Sequence, residues 1–126
     1  MSPHRCRAEV DHAALRQNAA AIRQAIGTQP GIIAVVKADG YGHGGPEVAK
    51  TLAPFAEQFG VATLSEARAV REAVTNKDIL VLSPCLPGER EDVVREGFIP
   101  VVSSTAEAKA SAHLAKIQPA RIHLCI

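Results

Sequence analysis

One stretch concentrates the chemistry this sequence offers: Val35-Val36-Lys37-Ala38-Asp39-Gly40-Tyr41-Gly42-His43-Gly44-Gly45-Pro46. An apolar run ends in a lysine, passes into a glycine-spaced loop, and meets a proline able to open a helix. A lysine at the end of a buried strand is costly as an ammonium, because desolvation disfavours the charged form. The neutral amine is the form that attacks an aldehyde to make a Schiff base. The plainer alternative is a strand-end lysine whose ammonium simply reaches water. Tyr41, four residues on, can bring its hydroxyl to an anionic group near the lysine, and free N–H groups ahead of Pro46 would favour an anion too. The glycines are not spaced as in a dinucleotide fingerprint, and no Gly-Lys-Ser/Thr follows to make a nucleotide-phosphate loop. A glycine-rich turn with a solvent-facing tyrosine is the other reading of the same residues.

The elements that must position Lys37 follow a regular beat. Apolar strand candidates occur at Ile32–Ala38, Gly60–Leu64, Ile79–Ser83, Ile99–Ser103 and Ile122–Ile126. Each is short and apolar on both faces, as expected of a parallel sheet covered by helices. The segments between them are long enough for one helix each. The first helix is expected from about His12 to Ile26, with Asp11 as cap, Gly27 as stop and Leu15, Ala19, Ile22 and Ile26 as its apolar stripe. Pro46 opens the second and Pro54 ends it. Ser65 is the expected cap of the third, Pro87 opens the fourth, and Ser104 with Glu107 forms a capping pattern for the fifth. A short strand at about Cys6–Val10 is expected to precede them all. A doubly wound sheet and a (β/α)₈ barrel share this beat. In a barrel, strand alternation turns Ile33, Val35 and Lys37 inward and sets Lys37 at the end where barrel active sites lie.

Composition excludes several partners. The 126 residues are 47% apolar and 21% charged with a formal charge of +1, so nothing points to a nucleic-acid backbone. Aromatics are only 3%, too few to stack on bases. No apolar run is long enough to span a membrane. Cys6, Cys85 and Cys125 form no CxxC pair, so no disulfide framework or metal site is read, and reduced thiols in a cytoplasm are expected. The histidines lack metal-ligand spacing. Asp39 reads as a turn residue and His43 as a structural part of the loop. Cys85 reads as a packed thiol, and Glu89, Glu91 and Asp92 as complements to a helix dipole.

The run from Val35 to Gly44 resembles the pyridoxal-phosphate lysine signature of alanine racemases. Ala8-Glu9-Val10-Asp11 with Ala14, Leu15 and Asn18 resembles that family's opening strand and helix. Phe59 to Ala67 resembles its second barrel strand and following helix, Ile79 to Ser83 its third strand, and Arg121 to Ile126 the strand before its next conserved block. The resemblance implies an α/β fold, a (β/α)₈ barrel followed by a β-rich domain, paired in a head-to-tail homodimer. Residues 1–126 would then be the N-terminal part of the barrel, about four βα units plus a fifth strand. It implies pyridoxal 5'-phosphate as cofactor, Lys37 as the residue that carries it and serves as one of two bases, and Tyr41 as hydrogen-bond donor to its phosphate. The second base would be a tyrosine of the partner's β-domain. The implied substrate is alanine, interconverted between L and D forms to supply D-alanine for peptidoglycan. Racemases for serine, lysine or broader substrates share the pattern. A non-catalytic pyridoxal-phosphate barrel is a further alternative, though such proteins lack the Tyr41-Gly42-His43-Gly44 run. The remaining cofactor contacts of the family lie beyond Ile126, so residues 1–126 alone are not expected to racemise alanine.

Overall fold

The computed structural model describes residues 6–116 and 119–125. In chain order the elements are α1 (His12–Ile26), β1 (Ile33–Val35), α2 (Lys37–Tyr41), α3 (Gly45–Leu52), β2 (Gln58–Val61), α4 (Leu64–Ala73), β3 (Asp78–Val81), α5 (Arg90–Arg95), β4 (Ile99–Val102), α6 (Thr105–Leu114) and β5 (His123–Leu124). All pairings are parallel, and the strands lie side by side in chain order, β1-β2-β3-β4-β5. A doubly wound sheet reverses its strand order at a switch point. A sheet that never reverses, with helical crossovers throughout, is part of a (β/α) barrel. That settles the choice the sequence beat left open.

The two faces of the sheet differ. Val36, Phe59, Val61, Ile79 and Val81 are buried under Val48, Ala49, Leu64, Ala67, Val70 and Val93 from the helices, with Ile32 and Ala34 packed alongside. Burying each of the Val, Leu, Ile and Phe side chains among these contributes roughly 1.5–3 kcal/mol. Ile33 and Val35 alternate onto the opposite face and stay 42% and 40% exposed. Helix α1 begins and ends as its sequence predicts. Asp11 accepts hydrogen bonds from the N–H groups of Ala13 and Ala14, and Gly27 closes the helix at φ 74°. Its stripe is only partly covered. Ile22 is 54% exposed and lines, with Leu15, Ala19, Ile32, Leu52 and Phe55, an open apolar groove beside β1.

Several expectations are corrected. Residues 6–11 form no strand. The first strand stops at Val35 rather than Ala38, because Val36 (φ −123°, ψ 25°) turns the backbone out of the extended region. The second strand starts at Gln58, two residues early, and ends at Val61 because Thr63 leaves it to cap α4. Ser65 is not that cap, since it lies inside the helix. Pro87 sits in the turn before α5, which begins only at Arg90. The fifth strand is confined to His123–Leu124, and Ile126, its expected end, falls outside the described residues.

Candidate active site

Lys37 stands two residues past the end of β1, half-buried, at the carboxyl end of the strand. The next residues do something unexpected: they wind the wrong way. Ala38 (φ 51°, ψ 49°), Asp39 (53°, 46°) and Gly40 (64°, 36°) hold left-handed helical angles, and Tyr41 continues at φ 56°. For residues bearing a Cβ this costs roughly 1–2 kcal/mol each. Strain of this kind persists only where the surroundings over-determine it.

Those surroundings are explicit. Inside the turn, the Gly40 N–H donates to Val36 O at 2.9 Å and the Gly42 N–H to Ala38 O at 3.0 Å. Gly40 is buried, and a Cβ there would stand 3.2 Å from both Cα and N of Gly45, a contact tight enough that the backbone would have to give way. Downstream, Asp39 accepts from the Gly44 N–H at its carbonyl (2.8 Å) and from the Gly45 N–H at Oδ1 (2.7 Å), fastening the turn to the start of α3. His43 places Nδ1 3.0 Å from Gly40 O and 3.2 Å from Tyr41 O. Upstream, the Ala38 N–H donates to Glu66 Oε1 at 2.9 Å.

The loop is therefore not the anion cradle its glycines suggested. The N–H groups of Gly44 and Gly45 are already taken by Asp39, and Pro46 has none. Asp39 and His43 act structurally, as their residue types predict. What the turn presents outward is the Lys37 amine and the Tyr41 hydroxyl. Neither has a hydrogen-bond or ion-pair partner among the described residues, and Tyr41 is 60% exposed.

Glu66 is a residue of the site that the sequence does not single out. Its signal is the same spacing that marks Ser104 and Glu107. Thr63 Oγ1 accepts from the Glu66 N–H at 3.3 Å, and Glu66 Oε2 accepts from the Ala62 N–H at 2.7 Å. The remaining oxygen is the one that reaches Ala38. Elsewhere, Cys85 is buried, and burial pushes its thiol above the ordinary range, as for an inert packed cysteine. Asp92 does more than complement a dipole, since it pairs with Arg68 and Arg95. Among the described residues no group of His, Cys, Asp and Glu could hold a metal ion.

An amine and a phenol at the carboxyl end of a barrel strand, on a turn pinned by its own hydrogen bonds, can hold a carbonyl compound with an anionic tail. Residues 10–126 match the family of alanine racemase N-terminal domains. The alanine racemase of Streptococcus pyogenes serotype M5 (strain Manfredo) is 37% identical over 97 residues, covering 77% of this chain and 26% of the relative. Among solved structures, the alanine racemase from Streptomyces coelicolor A3(2) superposes with a TM-score of 0.80 at 33% identity, over 91% of this chain and 32% of that one. The Clostridium difficile 630 alanine racemase in complex with cycloserine gives 0.79 at 28% identity, over 91% and 31%. The chain thus spans about a quarter to a third of the length of the relatives it matches.

Proposed function

This chain belongs to the alanine racemase family, and from that premise we propose that it supplies the cofactor-holding end of an amino-acid racemase acting on alanine. The observation that carries the proposal is Lys37, whose amine has no partner among the described residues and which stands at the carboxyl end of β1, ahead of a strained turn pinned by Asp39 and Glu66. The donor set fits pyridoxal 5'-phosphate: Lys37 would hold it through Nζ, and the Tyr41 hydroxyl would donate to its phosphate. When bound, that cofactor supplies an electron sink that acidifies the substrate α-carbon.

The residues present account for half of a racemisation. Lys37 Nζ would carry the α-proton on one face of the substrate once the substrate's own amine has taken its place on the cofactor. Inversion needs a second proton carrier on the opposite face, and the described residues offer none beside Lys37. We place it, as the family resemblance implies, on a tyrosine outside residues 1–126, contributed by the partner of a homodimer. The barrel must also close. Within the described residues β1 and β5 each have one unpaired edge, and closure alone removes such edges. No helix among the described residues is long and apolar enough to cross a membrane. The free thiols of Cys6, Cys85 and Cys125 suit a reducing cytoplasm, where we place the protein.

The test is direct. Borohydride reduction of the protein with pyridoxal 5'-phosphate, followed by peptide mapping, is expected to leave a pyridoxyl group on Lys37. A label on other lysines with Lys37 unmodified would overturn the assignment.

A further inference from the structure

The peptide that joins Lys37 to Ala38 is held from outside its own loop. The turn after β1 bonds itself internally and is fastened downstream by Asp39, but at its entrance the Ala38 N–H points away from the turn and ends on Glu66 Oε1 at 2.9 Å. Glu66 is in turn fixed at the carboxyl end of β2. Its second oxygen accepts from the Ala62 N–H at 2.7 Å, and its own N–H donates to Thr63 Oγ1 at 3.3 Å. One carboxylate thus ties the ends of two neighbouring strands together at the level of Lys37. Both bonds are charge-assisted, the stronger kind.

The clamp sits where the backbone has most reason to move. Ala38 holds φ 51°, a conformation its Cβ resists. If that residue relaxes to ordinary angles, the chain on either side swings, and the first side chain to change direction is Lys37. From this geometry we propose that Glu66 is a positioning residue for Lys37, keeping its amine aimed by holding the 37–38 peptide. The role rests on the racemase reading for its purpose, though not for its geometry. A glutamine cannot replace Glu66 here. Two N–H donors face two oxygens, and an amide offers one acceptor and one donor group.

The protein carries its own control. Glu107 occupies the equivalent place at the start of α6, accepting from the Ser103 N–H at 2.8 Å while its N–H donates to Ser104 Oγ at 3.2 Å, yet it bonds nothing near Lys37. The experiment compares Glu66→Gln with Glu107→Gln in the full-length protein. Pyridoxal 5'-phosphate is titrated by imine absorbance, and the adduct is trapped with borohydride and mapped. Loss of one charge-assisted bond predicts that Glu66→Gln lowers imine affinity at Lys37 about tenfold or more, while Glu107→Gln stays within about twofold of wild type. Equal imine affinity in the two variants would overturn the clamp. Amide exchange at Ala38, read without cofactor, addresses the hydrogen bond itself: protection in wild type and about tenfold faster exchange in Glu66→Gln are expected. Should that variant not fold, wild type alone decides, since an unprotected Ala38 amide overturns the proposal. Absence of label on Lys37 in wild type would instead remove the racemase reading, and the positioning role with it.

Discussion

The corner between β2 and α4 and the corner between β4 and α6 are built alike. Each has a hydroxyl cap, Thr63 or Ser104, bonded to the N–H of a glutamate three residues on. Each glutamate bends back to the N–H just before its cap, Ala62 or Ser103. The resemblance ends there. Glu107 spends its remaining reach on Ser103 Oγ, within the same corner, while Glu66 crosses to Ala38 on the neighbouring loop. One local pattern thus serves a helix start in one place and a helix start plus a strained neighbour in the other. A cap is a local device, and what stands opposite it decides whether it also serves a site.

The largest way to break that contrast is at the strained neighbour. Gly40→Ala places a Cβ against the Gly45 backbone at φ 64°, and a cost of roughly 3 kcal/mol is expected. Gly97→Ala, at φ 75° with nothing near its Cβ position, should cost only about 1 kcal/mol. Urea unfolding of the two variants tests this. Equal losses would mean the turn after β1 yields easily and stores no strain.

A smaller effect separates scaffold from chemistry within that turn. The Tyr41 hydroxyl is exposed and has no partner among the described residues, so Tyr41→Phe should leave stability unchanged. Pyridoxal 5'-phosphate affinity, in contrast, should fall by about 1.5–3 kcal/mol, the worth of a hydrogen bond to a charged group. Cofactor titration decides it, and an unchanged affinity would remove Tyr41 from the phosphate site.

The smallest effect isolates the corner without chemistry. The Ser103 N–H holds the Glu107 carboxyl below its ordinary value of 4.5. A carboxylate whose folded pKa is depressed stabilises the fold fully above its unfolded pKa, and that stabilisation fades as pH falls through the folded one. The stability gap between wild type and Glu107→Gln should therefore close as pH drops below about 4.5. Melting temperatures across pH 3 to 7, about the range concerned, would show it. A gap that does not change with pH would deny the bond its charge.

Much of this architecture is legible in the amino-acid sequence. The βα beat, the bounds of α1, the capping of α6 and the place of Lys37 at the end of the first strand follow from periodicity and local chemistry, whereas the expected burial of that strand does not hold, since Ile33 and Val35 stay exposed. Strand order does not, because doubly wound and barrel sheets share one beat and differ only in which strands meet. The left-handed turn is hidden for another reason. Ala38, Asp39 and Tyr41 have no local preference for positive φ strong enough to announce it, and the angles are imposed by Asp39, Gly40 and Gly45 acting together. Glu66 stays hidden because a sequence shows that a cap exists but not what faces it, and Ala38 stands twenty-eight residues away.

The unreversed strand order bears on how such a chain comes into being. A new strand appears roughly every twenty residues, and each pairs with the one made just before it. At a ribosome delivering about 5–20 residues per second, successive strands emerge seconds apart, whereas helices and short loops form in about microseconds. From β2 onward, each strand of this series meets a neighbour that is already made. The sheet can grow by accretion in the order of translation, with the Lys37 turn among its earliest finished parts.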